Sequence, residues 1–195
     1  MKTHSAESRR EGFTLLEILI VISIIAVLAA LAIPAIQGVY AKARATQAAA
    51  AIRDIATGLK QYQVDYGRFP VPAGQRTEDI LDLDAGSTVL KVLLGEDPQR
   101  LNPKAERYIE PKIGKSGAGG LIGAGDGYFL VDPWGQPYHI IMDVNYDGRI
   151  VNPDAQNQDT AIAAKALAQL PMHVLVFSSG PDKKLHTWDD VVSWR

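Results

Sequence analysis

GFTLLEILIVISIIAVLAALAIPAI, residues 12 to 36, is an apolar run interrupted by one acid, Glu17. From Ile18 to Ile36 there is no charge, and Ser23 is the one polar side chain. As a helix, rising about 1.5 Å per residue, that stretch comes close to the ~30 Å hydrocarbon core of a bilayer. An acid in such a span is costly, roughly 2.5–3.5 kcal/mol at the membrane centre and less towards its edge. Glu17 sits at the mouth of the run, and an acid kept there at a cost marks a functional position.

Towards the N-terminus, MKTHSAESRREG (residues 1–12) is polar and reads as a leader, with Lys2, Arg9 and Arg10 set against Glu7 and Glu11. Basic residues ahead of an apolar span favour keeping that end in the cytoplasm, with everything after Pro34 outside. An ordinary secretory signal peptide fits poorly. The run exceeds the usual core of about 7–15 residues, and no A-x-A site with a polar boundary follows it. A plain signal anchor leaves the Gly-Phe-Thr-Leu-Leu-Glu junction unexplained.

That junction and the run behind it resemble the N-terminus of type IV pilins and of type II secretion pseudopilins. The resemblance implies cleavage between Gly12 and Phe13 by a prepilin peptidase on the cytoplasmic side, with methylation of the new N-terminal Phe13. Glu17 then takes the family's fifth mature position, and Pro34 the place where family helices commonly kink. In the family that acid attracts the N-terminal amine of an adjacent subunit during assembly. The physical ground is general: an opposite charge offsets the cost of a carboxylate in apolar surroundings. The alternative is that Glu17 pairs with the amine of its own Phe13.

Beyond the span, AKARATQAAAAIRDIATGLKQYQVDYG (41–67) is rich in helix formers. Val39, Ala43, Ala50, Ile52, Ile55, Leu59, Tyr62 and Tyr66 recur at three- and four-residue steps, an amphipathic stripe made to pack on a domain. Gly67 and Pro70 supply the stop, and Pro34 should bend or loosen the helix locally. The expected organisation is a leader (1–12), an apolar membrane and assembly segment (13–36), the amphipathic second half of one long helix (37–67), and a globular domain (68–195).

In that domain, Leu90, Leu93 and Leu94 give a short second helix around Thr88 to Leu94. The Gly- and Pro-rich stretch 96–127 reads as a long surface loop. YFLV (128–131), PYHIIMDV (137–144) and MHVLVFS (172–178) read as strands, the first two joined by an Asp132-Pro133-Trp134-Gly135 turn. The fold class is α+β: a long N-terminal helix on a small antiparallel sheet. DPWGQPY and VLVFSSGPDKKLHTWDDVVSW also resemble the C-terminal half of the major pseudopilin of type II secretion, which implies a type IV pilin-like fold.

Two loops are suited to calcium, which takes six to eight oxygen ligands in flexible geometry. The first rests on the residues alone. Asp143, Asn145, Asp147 and Asp154 fall at positions 1, 3, 5 and 12 of a calcium-loop pattern, with Gly148 at position 6 and the Arg149 carbonyl at position 7. The second is implied by the resemblance, since the major pseudopilins bind calcium after the last strand. Carried over, Ser179 offers its carbonyl and Asp182 its carboxylate, with Asp189 and Asp190 near the second acidic position. Lys183 and Lys184 stand where glycine is common in the family.

A net charge of −2 gives no basic footprint for nucleic acid, and the chain has no cysteine. His4, His139, His173 and His186 show no metal-ligand spacing, and no G-x-S-x-G, P-loop or G-x-G-x-x-G is present. No enzyme is expected. The resemblance implies a structural subunit, the major pseudopilin, that polymerises into a periplasmic pseudopilus. Its implied partners are copies of itself, the prepilin peptidase, an inner-membrane assembly platform, minor pseudopilins, and lipid before assembly. A surface type IV pilin or a minor subunit is the alternative. The expected location is the bacterial inner membrane, then the filament.

Overall fold

The computed structural model describes residues 13–71, 74–75, 77–124 and 127–195; the leader with Gly12, and the side chain of Pro34, lie outside the described residues. The chain divides into two compact units, Met1–Lys42 and Ala43–Arg195. Helix α1, Leu15–Tyr66, contributes to both. In the first unit its apolar side chains are exposed from Leu15 to Tyr40 wherever they are described. Its most apolar 18-residue window has a mean hydropathy of 3.0 with nothing buried, so it is long and apolar enough to cross a membrane.

In the second unit α1 behaves as a core helix. Ala48, Ile52, Ile55, Leu59 and Tyr62 are all buried, a stripe of alternating four- and three-residue steps. The expected stripe is right from Ile52 onward and wrong before it. Ala43 and Ala50 are exposed, and Ala48 starts the buried face instead. Gly58 allows a second element close to the helix: a Cβ there would come within 2.8 Å of Ile109 Cγ2 and 2.9 Å of the Tyr108 carbonyl oxygen. Gly67 ends α1 in the left-handed region (φ +68°), its N–H bonded to Gln63 O at 2.8 Å.

Strand β1 (Leu81–Asp82) is followed by α2 (Thr88–Leu93), which Ser87 caps by accepting from Leu90 N. The stretch expected to be one long loop carries instead β2 (Gly120–Ala124), which forms a hairpin with β3 (Gly127–Val131) in the register Gly120↔Val131. Its glycines hide the two-residue alternation that marks a strand, while the pairing itself needs only backbone groups.

The remaining strands are β4 (His139–Met142), β5 (Ile150–Val151), β6 (Gln169–Leu170), β7 (Val174–Ser178) and β8 (Val191–Val192), with a one-turn helix α3 (Thr160–Ala163) before β6. The main sheet is antiparallel in the order β1-β4-β7-β8, and β5 pairs with β6. Every residue of β4 and β7 is buried, because the sheet is covered on both faces. Ile140, Met142, Val174 and Val176 pack with Ile52, Ile55 and Leu59 of α1. Ile141, Leu175 and Phe177 face the other way, with Ile150, Leu185 and Trp194. Each such buried side chain contributes about 1.5–3 kcal/mol.

Asp132, fully buried, anchors the turn between β3 and β4. Its Oδ1 accepts from Trp134 N and Gln136 N, each at 2.9 Å, and its Oδ2 accepts from Ser178 Oγ of β7 at 2.6 Å.

Candidate functional site

At the start of α1 the Thr14 side chain accepts from Glu17 N at 3.2 Å. Glu17 Oε2 in turn accepts from Thr14 N and Thr14 Oγ1, both at 2.8 Å. This is a capping box: each residue satisfies a backbone donor that the first turn leaves open. The T-x-x-E spacing was legible in the sequence and marks a helix start, a role for Glu17 that its membrane cost alone does not suggest. The bonds occupy Oε2 and leave Oε1 outside them. Phe13, the residue expected to become the N-terminus, is exposed next to this cap.

The C-terminal loop between β7 and β8 gathers acids around one hydroxyl. Thr187 Oγ1 lies 2.7 Å from Asp189 Oδ1, 3.1 Å from Asp190 Oδ1, 3.4 Å from Asp182 Oδ1 and 3.3 Å from the Lys184 carbonyl. A hydroxyl has one proton to donate, so it cannot serve all four oxygens. Backbone donors add to it: Lys184 N on Asp182 Oδ1 at 2.8 Å, and Asp182 N on Asp189 Oδ2 and Thr187 N on Asp190 Oδ2, both at 3.2 Å. Thr187 is buried, and the sequence reading missed it as the hub. Burial raises the pKa of Asp190 from its ordinary value, against hydrogen bonds from Thr187 and His186 that lower it. Gly180 holds the loop shut: its φ is +66°, and a Cβ there would overlap the Asp189 carbonyl. Among the described residues, no ion pair joins Lys183 or Lys184 to these carboxylates. Ser179 is buried beside them.

The loop that follows β4 is built around Asp143, which is fully buried. Its Oδ1 accepts from Asp147 N at 3.1 Å, and its Oδ2 accepts from Gly148 N at 2.9 Å and lies 2.7 Å from His173 Nδ1. Asn145 Oδ1 accepts from Asp147 N and Asp147 Oδ1 from Arg149 N, each at 2.8 Å. Gly148 has φ +79°, as the sharp turn at position 6 requires.

Asp154, expected at position 12, is elsewhere. Its Oδ2 accepts from Trp194 Nε1 at 2.9 Å and lies 3.1 Å from Arg195 Nε, and its Oδ1 is 3.2 Å from Arg195 Nη2. Pro153 opens a 3-10 turn (Pro153–Gln156), which directs Asp154 to the C-terminus of the chain. Glu78 fills the gap from a distant part of the sequence. The carboxylates of Glu78, Asp143 and Asp147 bring ligand oxygens within 4.8 Å of one another, and they form the one such acidic threesome among the described residues.

Comparison with known proteins agrees with the N-terminal geometry. The family described as "Prokaryotic N-terminal methylation motif" matches residues 8–33, the stretch that holds Gly12, Phe13 and Glu17. The chain is 27% identical over 187 residues to the type II secretion system core protein G of Pectobacterium carotovorum subsp. carotovorum, covering 96% of this chain and 86% of that protein. No solved structure matches it. Neither match is to an enzyme, as the absence of a catalytic motif led one to expect. The chain thus carries a match to the methylation motif at its head and is similar along most of its length to a type II secretion core protein.

Proposed function

We propose that this chain is the major subunit of a periplasmic pseudopilus that serves type II protein secretion. A prepilin peptidase cuts between Gly12 and Phe13 and methylates Phe13. The subunit then waits in the inner membrane, N-terminus cytoplasmic and globular domain periplasmic, until an assembly platform transfers it to the filament, which minor pseudopilins complete. The observation that carries this reading is the apolar half of α1. Among the described residues its apolar side chains are exposed, while the second unit has a buried core of its own. A membrane satisfies that surface first, and the same surfaces of neighbouring copies satisfy it later. Pro34 gives the helix a place to yield during the transfer.

Glu17 has two roles in this reading: it caps its own helix through Oε2, and it attracts a neighbour's Phe13 amine. Two substitutions separate them. Thr14→Val removes the cap and leaves the charge, and Glu17→Gln keeps a capping side chain and removes the charge. Secretion and cross-linkable filaments should survive the first and be lost in the second. Equal losses would reduce Glu17 to a cap. Surface fibres without a secretion defect in the deletion strain would favour the pilin alternative.

We further propose that the C-terminal loop binds calcium through Asp182, Asp189 and Asp190 and the Ser179 carbonyl. The surplus of oxygens around Thr187 Oγ1 supports this, because a divalent cation fits an acceptor-rich cluster better than one proton does. Calcium should raise the melting temperature of the wild-type protein, and the gain should shrink in Asp189→Asn.

A further inference from the structure

We propose a second divalent-cation site, for calcium, formed by Glu78 together with the Asp143–Arg149 loop, which ties the entry of the main sheet to the exit of the long helix. It is separate from the C-terminal loop and from any filament role.

Three acceptor-only carboxylates, from Glu78, Asp143 and Asp147, converge to within 4.8 Å. Among the described residues no lysine or arginine is paired with them. Clustered acids alone do not make a site, but Glu78 adds an observation of another kind. Its Oε1 is sealed from solvent and has no hydrogen-bond partner, the one such side-chain oxygen or nitrogen among the described residues. A buried acceptor without a donor is disfavoured unless something else satisfies it. The groups nearest it are the Asp143 and Asp147 carboxylates, which add negative charge and no donor. A cation answers both needs at once. The donor set is oxygen throughout, with His173 engaged on Asp143 rather than standing apart as a ligand. Oxygen sets with an amide and flexible loop carbonyls suit calcium over zinc.

The location gives the ion something to do. Glu78 lies three residues before β1, and β1 pairs with β4, at whose end Asp143 stands. In the same loop Tyr146 accepts a hydrogen bond from Phe69 N at 3.0 Å and stacks on the Phe69 ring, with centroids 6.0 Å apart and planes 8° from parallel. Phe69 is two residues past the Gly67 that ends α1. An ion here would lock the loop that holds the chain leaving the helix.

The test uses the full mature chain in detergent, with calcium as the probe and equilibrium dialysis to count ions. Glu78→Gln should lose one bound calcium per chain, or weaken one site at least tenfold, and should do so equally in the wild-type and Asp189→Asn backgrounds. Melting curves guard against misfolding. In EDTA, Glu78→Gln should melt at or above the wild type, because a repelling charge is gone, and in millimolar calcium it should melt below. Unchanged stoichiometry and affinity in Glu78→Gln, or the same stability difference with and without calcium, would overturn the site.

Discussion

The two halves of α1 are one continuous helix with opposite economies. From Ala48 to Tyr62 an apolar stripe is buried against α2, the main sheet and the 108–109 segment. From Leu15 to Ile33 apolar residues face outward on every side. The second half is amphipathic and its partner is in the chain. The first is apolar all round, and a helix of that kind belongs in a membrane or among other helices. A single element thus stabilises the domain with one half and leaves the described apolar residues of the other exposed.

The sharpest way to break this comparison is to damage each half and ask which property fails. Leu59→Ala should cost about 2–5 kcal/mol of domain stability, read by denaturant melts, and leave membrane insertion intact. Val21→Arg should do the reverse, raising the cost of insertion by roughly 2.5–3.5 kcal/mol while the domain melts as before. If both variants lowered domain stability equally, the division would be wrong. Two glycines refine the picture. Gly58→Ala forces a Cβ against Tyr108 and Ile109 and should cost about 1–3 kcal/mol. Gly38→Ala meets nothing within 4 Å and should raise helix stability by roughly 0.5–1 kcal/mol. The smallest effect is Thr14→Val, about 1 kcal/mol or less of helix stability, visible as fraying of the first turn by hydrogen exchange.

The long helix and the second helix were legible from helical spacing. The strands read at 128–131, 137–144 and 172–178 were legible from short apolar runs bounded by turn residues, since β4 and β7 are buried on both faces and carry no alternation. The β2 strand was not, since Gly120 and Gly123 have no side chains to alternate. The acidic loop at 143–148 was legible as a contiguous pattern, but its third acid, Asp154, lies elsewhere, on Trp194 and Arg195. Contiguity pointed to Asp154, whereas strand pairing of β1 with β4 carries Glu78 there from more than sixty positions away. Thr187 was missed for a related reason. Nothing in the local sequence distinguishes a hydroxyl at the centre of three acids from one on a turn, and only the closed loop draws Asp182 back to it. The capping box was the opposite case, a short signal present in plain view and overshadowed by the apolar run that follows it.

The central claim is that copies of this chain cover one another's apolar helix half. The lack of any native cysteine makes a direct measurement clean. Ile25→Cys, oxidised in secreting cells, should give a ladder of disulfide-linked subunits that disappears when Glu17→Gln is added. A cysteine at Arg53, on the solvent side of the second half, should give none. Monomers alone from Ile25→Cys, or a ladder that persists without the Glu17 charge, would contradict the account.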